Sequence, residues 1–299
     1  MLWNFTKMHG AGNDFIVLDG VRQPIALTPA RVRALADRHF GIGADQILLV
    51  EDPLDPAADF RYRIFNADGG EVQHCGNGAR CFVRFVHEQG LSRRNPLRAE
   101  ISTGLLLLRE SADGQVAVDM GRTGFTPADL DFDAQGLAAR TVGDDTQYAL
   151  DIAPPGSTSL WFSIAAISNP HAVIQVDQVD RYPVRQLGSA LESHPRFHQR
   201  VNVGFMQVLD RHAIRLRVYE RGAGETLACG TGACAAALAG IRQGLLDSPV
   251  QVHTRGGILQ IQWDGQSLTM QGPAVTVFRG QVDIDALTAH LPDHVSSPG

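Results

Sequence analysis

The sequence predicts an α+β protein of two like halves, each a set of strands wrapped around one central helix. Three observations predict it. One stretch occurs twice, as Cys75-Gly76-Asn77-Gly78-Ala79 and Cys229-Gly230-Thr231-Gly232-Ala233, with the cysteines 154 positions apart, about half of a 299-residue chain. Aligned from Arg61 and Arg215, eight of 23 pairs are identical, among them Arg61/Arg215, Arg63/Arg217, Gly70/Gly224 and Glu71/Glu225. Each copy then runs into an apolar helical stretch, and most of the rest reads as short strands between turns. A period of domain size marks a duplicated unit rather than a solenoid, and the length suits two ordinary domains.

The elements follow in order. Phe5 to Asp19 reads as strand, Gly-rich turn and strand; the Gly-rich loop opens no helix and lacks Gly-Lys-Ser/Thr, so it is no phosphate loop. Thr28-Pro29 starts a helix through about His39, with Thr as N-cap and Pro in the first position, ended by Gly41 and Gly43. Asp45–Val50 and Phe60–Asn66 are strands, and Asn66-Ala67-Asp68-Gly69-Gly70 is a turn. A largely buried helix runs from about Asn77 to Gln89, with Arg80, Arg84 and Glu88 as one thin polar stripe. Strands follow to about Asp119. Residues 126–158, acidic and punctuated by Pro and Gly, hold the crossover between halves.

In the second half Ile167-Ser168-Asn169-Pro170-His171 and its apolar run echo Asn13-Asp14-Phe15, and Val201-Asn202-Val203 lies 156 positions after Asp45-Gln46-Ile47. The helix from about Thr231 to Gln243 carries no charge before Arg242 and is almost fully buried. Strands fill 250–278, and the tail from about His290 is loose. The halves are expected at 1–127, completed by 277–299, and at 128–276.

Composition narrows the function. A net charge of −6 leaves no basic footprint for nucleic acid. No apolar run reaches a membrane span, and Met1–Gly12 lacks a signal-peptide layout, so the expected location is cytoplasmic. Four cysteines do not make a disulfide scaffold, and their spacings match no zinc motif.

The chemistry lies in the repeat. A helix start presents unpaired N–H groups and the positive end of a dipole, which lowers a thiol's pKa and binds a carboxylate. Glycines at 76, 78, 230 and 232 leave room for that carboxylate. Two such helix starts with Cys75 and Cys229 suit a two-base racemisation or epimerisation, one thiolate removing a proton and the other thiol delivering one to the opposite face. The N–H groups receive the developing charge. Cys81 and Cys234 read as buried small hydrophobes, His9 and His74 as structural, Arg61 and Arg63 as a solvated strand face, and Glu71 and Glu225 as turn charges. A Cys75–Cys229 disulfide is a product of oxidation, not a resting state.

These motifs, with Met8-His9-Gly10-Ala11-Gly12-Asn13-Asp14-Phe15, Asn66-Ala67-Asp68-Gly69, Asn169-Pro170-His171 and Glu220-Arg221-Gly222-Ala223-Gly224-Glu225-Thr226, resemble the diaminopimelate epimerase family. The match is weakest between about 126 and 160. The resemblance implies two pseudo-symmetric domains, each a curved mixed or antiparallel sheet around its helix, and a pyridoxal-phosphate-independent enzyme with no cofactor and no metal. It would convert LL-2,6-diaminopimelate to the meso form in lysine and peptidoglycan precursor synthesis. It implies Cys75 and Cys229 as the acid/base pair, and Gly76-Asn77 and Gly230-Thr231 holding the reacting carboxylate. Asn13, Gln46, Asn66, Asn169, Asn202, Glu220 and Arg221 would contact the amino groups and distal carboxylate; His171 and Glu220 would tune the cysteines. It also implies a homodimer; Phe278 stands where many members have Tyr, and Gly70 and His74 also differ from the commoner residues. A proline or hydroxyproline racemase is the alternative within the same fold, and a non-catalytic amino-acid-binding or redox-sensing protein the alternative from another class.

Overall fold

The computed structural model describes residues 1–72, 76–102, 104–152 and 159–289. Cys75, His74 and the tail from 290 lie outside the described residues. Two compact units divide the chain, one of Met1–Val118 with Gly272–Gly299 and one of Asp119–Gln271.

The first unit opens with β1 (Leu2–Gly10), β2 (Asn13–Asp19), α1 (Pro29–Ala36), β3 (Gln46–Glu51), β4 (Phe60–Asn66) and β5 (Glu71–Val72). It continues through α2 (Gly76–Glu88), β6 (Leu97–Ile101), β7 (Gly104–Glu110) and β8 (Gln115–Asp119). The second unit holds β9 (Thr123–Gly124), β10 (Ala139–Val142), β11 (Asp145–Leu150), β12 (Leu160–Ile167), β13 (Pro170–Gln175), α3 (Val184–Glu192), β14 (Asn202–Asp210) and β15 (Ala213–Glu220). It ends with β16 (Gly224–Thr226), α4 (Gly230–Arg242), β17 (Val250–Thr254), β18 (Gly257–Trp263) and β19 (Leu268–Pro273). The chain then returns to the first unit as β20 (Val275–Asp283) and α5 (Ile284–Ala289).

The two sheets are built alike. In the first, neighbours run β20-β1-β2-β3-β4-β6-β7-β8, with parallel pairings at β2/β3 and β4/β6 and antiparallel ones elsewhere. In the second, β11-β12-β13-β14-β15-β17-β18-β19 repeats that order of directions, parallel at β13/β14 and β15/β17. The strand from the far end of the chain, β20, thus takes in the first sheet the place β11 takes in the second. A parallel pair needs a crossover connection, usually a helix. α1 and α2 supply it in one unit, α3 and α4 in the other. The fold is α+β, with strands predominating and a matched pair of sheets.

The uninterrupted apolar runs have a physical reason. Phe15-Ile16-Val17-Leu18 and Ile47-Leu48-Leu49-Val50 are buried throughout, as strands covered on both faces require. Ile16, Leu18, Ile47 and Leu49 pack with Val32 and Leu35 of α1, while Phe15 and Leu48 line α2 at Gly78. There a Cβ on residue 78 would lie 2.6 Å from the Tyr62 hydroxyl, which only glycine avoids. α4 contacts β12, β13, β14, β15, β17 and β18, and every residue from Gly232 to Gly240 is buried. Alanine and glycine let these strands close on the helix from so many sides; larger side chains there cost about 1–3 kcal/mol by overpacking.

Three expectations change. α1 ends at Ala36 rather than near His39, because Asp37 Oδ1 accepts from the His39 and Phe40 N–H groups and turns the chain. The second unit begins at Asp119, so the stretch from 126 to 152 lies inside it. A short 3₁₀ turn there is closed by a Thr126/Asp129 capping box, and Phe132 stacks on Phe197 with 4.4 Å between ring centres. Arg80 does not belong to a polar stripe: it is fully buried.

Candidate functional site

Each unit gathers its polar candidates at one end of its sheet. In the first unit Asn13 and Gln46 begin the parallel strands β2 and β3, and Asn66 ends β4 opposite Gln46. Gly76 and Asn77 begin α2 beside them. In the second unit His171 and Asn202 are register partners at the starts of β13 and β14. Glu220 ends β15, and Cys229 caps α4 ahead of Gly230 and Thr231. The duplication therefore places corresponding polar loops and a helix start together in both copies.

In the first half-site, Gln46 Nε2 donates to Asn66 Oδ1 at 2.8 Å. Gln46 Oε1 is buried without a hydrogen-bond partner among the described residues, which leaves an acceptor suited to an ammonium group. Asn77 Nδ2 lies 3.3 Å from Asn13 Oδ1, and Arg80 donates to Asn77 Oδ1 at 2.8 Å. Arg80 Nε also donates to the Pro273 carbonyl at 3.2 Å. Asn13 is held from behind, its Nδ2 donating to Asp45. Asp14 beside it pairs with Arg38 and Lys7. Burial would raise the Asp14 pKa, but hydrogen bonds from Arg38 and Lys7 hold it well below the usual carboxylate range.

In the second half-site, the Cys229 sulfur accepts from the Gly232 N–H at 3.4 Å and lies 3.5 Å from Thr231 Oγ1. A Cβ on residue 232 would come within 3.3 Å of that sulfur, so glycine keeps the backbone donor open. The expectation that the helix start lowers the thiol's pKa does not hold here. Burial, then the charge of Glu220, pushes Cys229 well above the ordinary range, and the Thr231 and Gly232 donors oppose this only in part. The balance favours the protonated thiol at Cys229. Glu220 is itself fixed by the Thr226 hydroxyl, which donates to it at 2.5 Å.

Asn202 Oδ1 accepts from the Arg221 backbone N–H at 3.0 Å, and Asn202 Nδ2 donates to the Pro170 carbonyl. The Arg221 guanidinium donates to the Gln199 carbonyl at 2.8 Å. His171 is fully buried and donates through Nε2 to Asn169 Oδ1 at 2.6 Å. Burial, with the nearby Arg221 charge, lowers its pKa from 6.5 to about 3. The folded protein thus refuses a proton that the unfolded chain takes up below about pH 6.5, and stability falls as pH drops from there toward 3. At pH 5 this amounts to about 2 kcal/mol. Urea unfolding at pH 7 and pH 5 checks it: His171→Gln loses less stability across that interval than the parent, and equal losses would remove His171 as the cause.

The repeat also carries an ion pair that sequence reasoning had split into unrelated surface charges. Arg63 clasps Glu71 with two bonds of 2.8 and 2.7 Å, and Arg217 bonds Glu225 at 2.7 Å. Arg80 was missed as well. The available signal was its spacing, three residues after Asn77 and so on the same helix face.

Solved structures of similar fold are a PhzF-family phenazine biosynthesis protein from Bacillus anthracis and a probable proline racemase from Agrobacterium radiobacter K84. The first has a TM-score of 0.66 at 16% identity, covering 94% of this chain and 99% of that one. The second has a TM-score of 0.67 at 16% identity, covering 99% and 98%. These define the class, a two-domain α+β fold. The family model for diaminopimelate epimerase matches residues 5–126 and 163–277. A diaminopimelate epimerase from Cupriavidus taiwanensis is 62% identical over 97% of this chain and all of the relative. One from Ralstonia pickettii is 60% identical over 96% and 98%. The chain belongs to the diaminopimelate epimerase family. Among the described residues no helix is long and apolar enough to cross a membrane.

Proposed function

We propose that this chain epimerises LL-2,6-diaminopimelate to the meso isomer without a cofactor, with Cys75 and Cys229 as its two bases. The observation that carries the reading is the duplicated Cys-Gly-x-Gly-Ala at two helix starts, in a chain whose 62%-identical relative bears that enzyme's name. Inversion at carbon needs a proton taken from one face and another given to the opposite face, and the repeat supplies two thiols for it. Cys229, held as a thiol, is the donor in the direction that starts from this state; Cys75 as thiolate takes the substrate proton. The charge left on the substrate carboxylate falls on the N–H groups at Gly76-Asn77 and Gly230-Thr231. After turnover Cys75 holds the proton and Cys229 is the thiolate, so the reverse direction exchanges their roles.

Asn13, Gln46, Asn66, Asn169 and Asn202 bind the zwitterionic ligand, and Arg221 its distal carboxylate. Neutral His171 packs behind Asn169, and with Glu220 it sets the Cys229 proton affinity. We assign the two expected halves to the two compact units, Met1–Val118 with Gly272–Gly299 and Asp119–Gln271, in place of the bounds 1–127 with 277–299 and 128–276. The enzyme is cytoplasmic and homodimeric in this reading; Val275, Val277 and Phe278 on β20 leave an exposed apolar row that suits a second copy.

The test is solvent deuterium incorporation into LL-diaminopimelate by the reduced protein with no added cofactor. Label at one α-carbon together with the meso isomer is expected. No label from folded, reduced protein, with exchange on proline instead, would overturn the substrate assignment.

A further inference from the structure

The second copy of the repeated ion pair is surrounded unlike the first. Glu225 is almost fully buried, and three arginines converge on it: Arg217 at 2.7 Å, Arg255 at 2.8 Å and Arg185 at 3.5 Å. In the first copy the arrangement is reversed, with Arg63 flanked by Glu71 at 2.7 Å and Glu51 at 3.7 Å. The first cluster thus carries one surplus negative charge and the second two surplus positive charges. Arg217 bonds one oxygen of that carboxylate, Oε1, and its other contacts hold the Val179 and Tyr182 carbonyls. Arg185 and Arg255 add two positive charges to a carboxylate that Arg217 already pairs, and each is exposed, Arg185 by 84% of its side chain.

These arginines line an open cleft of about 450 Å³ with Tyr182, Pro183, Val184 and Gln186. The wall formed by residues 183–186 is the first turn of α3, whose start at Pro183 has no capping side chain. Val184 N–H donates to the Tyr182 carbonyl, and the N–H groups that follow it in this turn add to the positive potential of the guanidinium groups. The nearby carboxylate of Asp180 is engaged by Arg215. Tyr182 and Pro183 give the cleft an apolar wall beside its charged one.

We propose that this cleft is a binding site for a small phosphate-bearing anion, held by Arg185 and Arg255 against the start of α3. Arginine's planar fork matches phosphate oxygens through paired hydrogen bonds, and the cleft has room for more than the bare ion. Glu225 keeps Arg217 and Arg255 in place in the absence of ligand; its carboxylate is held below the usual range by the surrounding arginines against the effect of burial.

Isothermal titration calorimetry on the full chain, with inorganic phosphate and with adenosine monophosphate as probes, tests this. Saturable binding at one site per chain is expected, weakened about tenfold to a hundredfold in the R185Q/R255Q double variant. A control pair, R98Q/R109Q on the other unit, removes the same charge and leaves affinity unchanged. Tighter binding of the monophosphate assigns the ligand as an organic phosphate, and tighter binding of the inorganic ion assigns the free anion. Absence of saturable binding, or equal weakening in both double variants, would overturn the site. Because the readout is binding and not turnover, its outcome is separable from that of the epimerase assay.

Discussion

Cys229→Ala abolishes inversion of diaminopimelate, lowering its rate by about 10³-fold or more, since general acid–base catalysis contributes about 10²–10⁴-fold per positioned group. The sulfur sits at the N-cap of α4 with a backbone donor and the Thr231 hydroxyl beside it. The variant folds, because alanine fills a position already small and buried. What distinguishes a catalytic thiol from a packing one is the partial reaction. With Cys229 absent, Cys75 still removes and returns a proton on its own face, so residual deuterium exchange is confined to one stereoisomer and proceeds with retention. Mass and chiral analysis of the recovered substrate reads both quantities. Inversion within about tenfold of the parent rate, a change of only about 1.4 kcal/mol, would sink the assignment. Cys234→Ala, one turn further along the same helix, is the control and leaves the rate unchanged.

The difference between Cys229 as expected and as found shows where sequence reasoning stops. The repeat, the glycines and the helix start were all legible, and together they argue for a depressed thiol pKa. The opposite direction arises from two facts that no local pattern contains. One is the enclosure of α4 by strands far apart in sequence. The other is the placement of Glu220, at the end of β15, against the sulfur. The same division holds elsewhere. The runs at 15–18 and 47–50 read as strands from their own residues, while their burial on both faces is supplied by elements the run does not contain. The stretch 126–152 was opaque because one of its core residues, Phe132, is placed by stacking on Phe197, 65 positions away. Arg63 and Glu71 are conventional surface residues in isolation; only the strand register, Phe65 opposite Glu71 and Tyr219 opposite Glu225, makes the duplicated pairs visible.

Arg80→Leu lowers stability by about 3 kcal/mol and kcat/KM by about tenfold to a hundredfold more than loss of folded protein explains. Arg80 is fully enclosed and its donors reach Asn77 Oδ1 and the Pro273 carbonyl. Leucine fills much of the space but leaves these acceptors unsatisfied, each at a cost of about 1–3 kcal/mol, offset in part by relief of the charge's own desolvation. The catalytic effect follows from direction. By donating to Asn77 Oδ1, Arg80 fixes which way that amide faces and turns Nδ2 toward Asn13. Without it the amide rotates, and a small misplacement of a substrate-holding group costs about 10²-fold. Arg80→Lys separates the two contributions: it keeps a donor and the charge, and so restores part of the stability, but it lacks the fork that serves Asn77 and Pro273 together. Thermal unfolding and steady-state kinetics on both variants check this. A fall in stability with kcat/KM per folded molecule unchanged would make Arg80 a structural residue alone, and no change in either would show that the buried guanidinium holds nothing in place.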